Sequence, residues 1–270
     1  MTWNKKLKEW LKKEEDIQTA DGKNIEVFSF NYNSDDNKTM SVWAKHFRNH
    51  YCSDEIIDVL RNGTGFSKKD FLLNIKFPDQ TGTPGPSVRA GDFSEILISD
   101  YLEFILNYWV PRTRYSNKIN KNSSPMGTDI IGFKLLNSDA TIEDTLAIVE
   151  AKSAYSKTDK NRLQDAINDS QKDEKRIAES LNAMKQRYIE TNNIKNANKI
   201  ERFQNYTDKP YKRLFGAAAL FSTEFYDEKL IKTSNVAEHG NSNHLILIVI
   251  KGDNMMALVH ELYRRAADEA

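Results

Sequence analysis

GTDIIGFKLLNSDATIEDTLAIVEAKS, running from Gly127 to Ser153, reads as two strands joined by a turn. Thr128 to Leu135 is short and apolar, with Gly132 in its middle. Leu136 to Asp144 is polar, and Thr145 to Lys152 is apolar until its last residues. Side chains alternate along a strand, so Glu150 and Lys152 share a face with Leu146 and Ile148. A hairpin about the turn brings Asp129 level with Glu150 and Lys152, at the ends away from the turn. Two carboxylates and an ammonium then converge on one edge of a sheet. Hard oxygen donors of this kind suit a magnesium ion, which bridges to a phosphate and lowers the pKa of a bound water. A lysine beside them can orient the attacking water or stabilise charge on the phosphorane. In outline this is a phosphodiester-cleaving arrangement.

An acidic residue two places before a lysine is not rare in this chain. It occurs at Asp21, Asp36, Glu150, Asp173 and Asp227. Only Glu150 follows a buried-looking strand, Leu-Ala-Ile-Val, with an Asp-bearing strand upstream. The alternative is a strand end whose Glu and Lys pair with each other or are solvated, an interaction worth about 0–1 kcal/mol.

Asp129, then Glu150-Ala151-Lys152 closing an apolar strand, with Glu95 on a preceding helix, resembles the PD-(D/E)xK nuclease superfamily over roughly Gly91 to Ile250. Its first motif is Gly-Thr-Asp, which keeps the Asp. More narrowly, AGDFSEILISDYLE (Ala90–Glu103), YWVPRTRY (Tyr108–Tyr115), the Gly-Thr-Asp segment and WAKHFRNHYC (Trp43–Cys52) resemble the HamA family, the nuclease subunit of the Hachiman antiphage system. The resemblance implies a deoxyribonuclease with Glu95, Asp129, Glu150 and Lys152 as its catalytic set. Asp129 and Glu150, joined by the Ala151 carbonyl, would hold Mg2+ or Mn2+, and cleavage would leave a 5′-phosphate. It also implies DNA as substrate and a HamB-like helicase as partner.

The whole chain sets bounds on this reading. Its 270 residues allow one large domain, or one domain with an extension. Lys+Arg and Asp+Glu cancel at 39 each, so no global basic field holds DNA and any contact must come from local patches or a partner. The single Cys52 excludes internal disulfides and a Cys-rich zinc site. No apolar run approaches membrane length and no signal core follows Met1, so a cytoplasmic protein without membrane contact is expected.

Outward from the hairpin, Trp3, Leu7, Trp10 and Leu11 recur at helical spacing, and Asn24 to Tyr32 alternates like a strand. Helical patterns follow at Met40–His50 and Asp54–Arg61, while Phe71 to Phe77 reads as a further strand. His46 and His50 share a helix face at a spacing that zinc sites use; with no third ligand nearby they read as packing or surface residues. Pro78 to Ala90 is dense in Pro and Gly and reads as a loop. Gly91 to Trp109 reads as a helix that Asp92 can cap, with Glu95 at the capping-box position. Against a capping role, Glu95 aligns with Ile98, Leu102 and Leu106 on the inward face, where a carboxylate needs a partner. That leaves it as a second-metal ligand or a proton-handling group. The loop from Pro111 to Met126 gathers Arg112, Arg114 and Lys118 around Tyr115, the best DNA-contact stretch by composition; a solvated loop explains it equally.

Downstream, Asp159 to Thr191 is a long amphipathic helix, and Asn192 to Tyr206 a second, packed as a hairpin. LFGAAALFS (Leu214–Ser222) and HLILIVIK (His244–Lys251) suit strands covered on both faces, and Met255 to Ala267 a closing helix. The expected fold is α/β, a mixed central sheet flanked by helices in the manner of restriction endonucleases. Residues 1–90 form an N-terminal helical and strand region, and 91–270 a nuclease-like domain with a helical insertion around 159–206. Two other functions fit the same residues: a stand-alone restriction-type or repair endonuclease, and a non-catalytic interaction subunit that keeps the fold.

Overall fold

The structure is a computed structural model. It describes residues 2–270 apart from Met126, Ser138 and Asp139 and the side chains of Asp173, Glu174 and Lys175, so the tip of the central hairpin's turn and the Asp173–Lys175 pair lie outside the described residues.

The chain opens with helix α1, Trp3–Trp10, which buries Trp3, Leu7 and Trp10 against its own domain; Trp3 stacks on Trp43 at 4.3 Å. Three strands follow, β1 (Leu11–Lys13), β2 (Ile17–Gln18) and β3 (Asn24–Phe30). Helix α2 (Asn37–Asn49) starts where the Asp36 side chain accepts from the Thr39 N–H, a cap that satisfies one orphan donor. Helices α3 (Ile57–Arg61) and α4 (Lys68–Phe71) come next, and α4 runs on as a π-helix through Leu72–Lys76. The strand expected at Phe71–Phe77 is therefore helical. A strand would put Phe71, Leu73, Ile75 and Phe77 on one face, whereas the helix buries Phe71 and Leu72 and leaves Ile75 46% exposed.

Helix α5 spans Gly85–Asp100 and continues as a π-helix through Tyr101–Ile105. It begins earlier than its sequence suggests, because Pro86 occupies the first turn, where a missing N–H costs nothing. The Pro/Gly loop thus ends at Pro84, residue 90 lies inside the helix, and Asp92 and Glu95 sit in its interior, neither of them a cap.

Strands β4 (Ile130–Lys134) and β5 (Thr145–Ala154) form the antiparallel hairpin, followed by α6 (Arg162–Glu190) and α7 (Ile194–Glu201). Strand β6 (Lys212–Ser222), helix α8 (Glu228–Lys232), strand β7 (Leu245–Gly252) and helix α9 (Met255–Asp268) complete the chain. The fold is α/β around one mixed seven-stranded sheet of order β1-β3-β7-β6-β5-β4, with β2 beside β3. Strands β5, β6, β7 and β3 run parallel, so the strand from before residue 90 is part of the same sheet.

Helices cover both faces, which is why β6 and β7 are apolar on both sides. Val149, Ala218 and Ile248 pack under α2, α5 and α9; Ile148, Ala217 and Leu247 pack under α6 and α7. Strand β4 is an edge, and Trp109 covers it by exchanging both backbone hydrogen bonds with Phe133, at 2.7 and 2.8 Å. Gly132 permits this approach, since a Cβ there would meet Tyr108 at 3.1 Å. The bridge fixes where the chain enters the basic loop that begins at Pro111.

Candidate active site

Ile130 pairs with Val149, so the next positions outward, Asp129 and Glu150, face each other across the hairpin as the alternation predicts. Across the hairpin the Ala151 N–H donates to Asp129 Oδ2 at 3.5 Å. Asp129 is pushed up to about 7, first by burial and then by the Glu150 charge, with Arg114 working against both. Lys152 Nζ lies 2.6 Å from Glu150 Oε1 and 2.8 Å from Asp169 Oδ2 of α6. Burial opposes its charge, but Asp169 and Glu150 outweigh that and hold its pKa above the usual lysine value.

Glu95 reaches the same place from α5 through an arginine. Arg114 Nε donates to Glu95 Oε2 at 2.9 Å and Nη2 to Asp129 Oδ1 at 2.8 Å, while Nη1 donates to the Thr128 carbonyl at 2.7 Å. Tyr115 Oη donates to the same Glu95 oxygen at 2.6 Å. Glu95 is buried, and burial first, then the Asp129 charge, push it up to about 7 against the pull of Arg114. The result is a continuous row, Glu95–Arg114–Asp129–Glu150–Lys152–Asp169. The row itself counts four carboxylates against two cations, Arg114 and Lys152. Asp129 and Glu150 therefore fit a hard divalent ion by donor chemistry and by charge.

The model of the HamA family matches residues 5–266. The chain belongs to the HamA family. The match runs through the elements before residue 90 as well as through the hairpin, and it points to a component of a Hachiman-type defence system. A search of curated proteins finds no match. No helix among the described residues of this HamA chain is long and apolar enough to cross a membrane.

The basic loop of this HamA member is tied to α5 by ion pairs. Arg112, Arg114 and Lys118 face inward. Arg112 Nη2 donates to Asp100 Oδ1 at 2.8 Å and also pairs with Glu103, and Lys118 Nζ lies 2.5 Å from Asp92 Oδ2 with its side chain only 3% exposed. The reason lies in α5, which turns Asp92, Glu95, Asp100 and Glu103 toward the loop. Buried carboxylates demand counterions, and the loop supplies them as it runs back along the helix: Arg112 to Asp100 and Glu103, Arg114 to Glu95, Lys118 to Asp92. Among the described side chains, Asp169 is the member of the row that sequence reasoning missed. It stands on α6, and only the crossing of that helix over β5 brings it to Lys152.

Proposed function

We propose that this HamA chain is a divalent-metal-dependent deoxyribonuclease and the nuclease effector of a Hachiman-type system, with DNA access governed by a HamB-like helicase. The observation that carries the reading is the meeting of Asp129, Glu150 and Lys152 across one hairpin register, the order in which a PD-(D/E)xK site presents them. Asp129 and Glu150 would hold Mg2+ or Mn2+, with the Ala151 carbonyl added by resemblance. Such an ion, when bound, lowers the pKa of water and offsets phosphate charge.

The chain's own groups do the rest. Lys152, kept charged between Glu150 and Asp169, serves as a donor that orients the attacking water or meets charge growing on the phosphoryl oxygens; it is no base in this state. Asp129, pushed up to about 7 by burial, would lose its proton when a cation binds there. Glu95 acts at one remove, by holding Arg114 against Asp129. The open side of the row lies at Lys152 and Asp169, whose side chains are 26% and 32% exposed, so a DNA strand would approach there.

The test is cleavage of plasmid and linear DNA with Mg2+ and with EDTA, by the parent chain, Glu150→Ala and Lys152→Ala, with and without the helicase partner. Magnesium-dependent cutting lost in both variants is expected. Variants that cut as well as the parent would reject the site. A parent that never cuts would favour the interaction-subunit reading.

A further inference from the structure

Away from the carboxylate row, His46 of α2 and His50, which follows its last residue, meet a third ligand that their own neighbourhood in sequence lacks. It is Asp100, brought in by α5. His46 Nε2 lies 2.9 Å from Asp100 Oδ1, and His50 Nε2 lies 3.4 Å from His46 Nε2. One donor atom from each residue sits within 4.8 Å of the other two. A tetrahedral zinc ion with bonds of about 2.0–2.1 Å holds its ligand atoms about 3.3 Å apart, so the two imidazole nitrogens stand at the spacing of ligands on one ion. The other Asp100 oxygen accepts from Trp3 Nε1 at 2.8 Å, the kind of outer hydrogen bond that orients a ligating carboxylate. His50 and Asp100 are buried, so an ion held between them would be shielded from bulk water.

Without an ion, Arg112 closes the cluster. Its Nη2 donates to Asp100 Oδ1 at 2.8 Å, and its Nη1 lies 3.4 Å from His50 Nε2. The same guanidinium also holds Glu103 through Nε at 3.1 Å and through Nη2. An ion would therefore cost the Arg112–Asp100 bond and leave Arg112 on Glu103. Asp100 and Glu103 against Arg112 leave a negative charge for the ion to meet.

We propose that His46, His50 and Asp100 form a second metal site, one for a zinc-class transition ion, separate from the oxygen pair Asp129 and Glu150. Imidazole nitrogen selects such an ion over magnesium, which the oxygen pair suits. His50 also lines a cavity with Thr113, Arg112 and Arg187, beside the cluster. Bound there, the ion ties α2 to α5, the helix that carries Glu95.

The test is calorimetric titration with Zn2+ in excess magnesium, together with the visible spectrum of the Co2+-loaded chain. Three proteins are compared: the parent, Glu150→Gln, which weakens the oxygen pair, and His46→Gln, whose fold is checked by melting in EDTA. Parent and Glu150→Gln should bind one equivalent alike and show the bands of tetrahedral cobalt. His46→Gln should bind about 10-fold more weakly or worse and lose the bands. If that variant does not fold, Trp3→Phe, which deletes the hydrogen bond to Asp100, should weaken binding by about 10-fold. Binding that survives in His46→Gln, or vanishes in Glu150→Gln, would put the ion at the oxygen pair and overturn the proposal. A parent that binds no Zn2+ would overturn it too, leaving Arg112 as the cluster's only cation. DNA cleavage is not a readout, so the nuclease reading stands or falls separately.

Discussion

Arg114 donates to Asp129 Oδ1 over 2.8 Å, so the carboxyl that faces Glu150 already carries a cation on its other side. A divalent ion at Asp129 and Glu150 must share Asp129 with that guanidinium. The arginine thus stands in for part of the charge that a metal would bring, and this gives the ion-free chain a defined electrostatic state.

Arg114→Gln removes that charge. Glu95 and Asp129 then lose their shared guanidinium, and breaking a buried pair of this kind costs roughly 3 kcal/mol. Thermal melts should show the loss in EDTA and a smaller one under saturating Mg2+, because the metal takes over the missing charge. Equal losses in both conditions would mean that arginine and metal do not share Asp129.

Stability should fall as pH rises when no metal is present. Asp129 is pushed from 3.8 up to about 7 and Glu95 from 4.5 up to about 7, in both cases first by burial. Buried Asp92 rises to about 7 as well, against the pull of Lys118. Each keeps a proton in the folded chain at a pH where the unfolded chain has lost it, so the folded state binds more protons and loses ground with rising pH. Between about pH 5 and about pH 7.5 the melting temperature in EDTA should drop by roughly 5 °C. Mg2+ should raise it most at the alkaline end, where the carboxyls it needs are ionised. A flat or rising profile in EDTA would contradict the assigned protonation.

Asp169→Asn takes one of the two carboxylates away from Lys152. The lysine loses part of what holds it charged and in place, and DNA cleavage should slow by about 10-fold. The alkaline limb of the pH–rate profile should move to lower pH, a shift that a purely structural role for Asp169 would not produce. Cleavage rates measured across pH decide it.

Lys118→Met strands Asp92 in the core and should cost roughly 3–5 kcal/mol. Adding Asp92→Asn should recover most of that loss, since the amide no longer needs a counter-charge. Urea denaturation of the two variants and the parent measures both effects.

The hairpin could be read in advance because its two strands alternate and a polar turn separates them. That alone set Asp129 opposite Glu150. Strands β6 and β7 were equally plain, since only strands covered on both faces are apolar throughout. The start of α5 was hidden because Pro and Gly read as a loop by composition, while Pro86 in fact sits in a first turn. Composition likewise finds cations but not the way they point. That Arg112, Arg114 and Lys118 turn inward follows from four acidic residues on the buried side of α5, a pairing between segments that spacing within either one does not show. Asp169 and Asp100 were out of reach for the same reason, as each depends on how one helix crosses another element.

The pairing of the loop with α5 has a consequence for control. Peeling the loop away would strip Arg114 from Glu95, Lys118 from Asp92 and Arg112 from Asp100 and Glu103, three pairings broken at once. The loop and α5 therefore move as one piece, and Arg114 stays in the row with them. Access to the row is left to its other end, where Lys152 and Asp169 are 26% and 32% exposed and can be covered or bared without disturbing that piece.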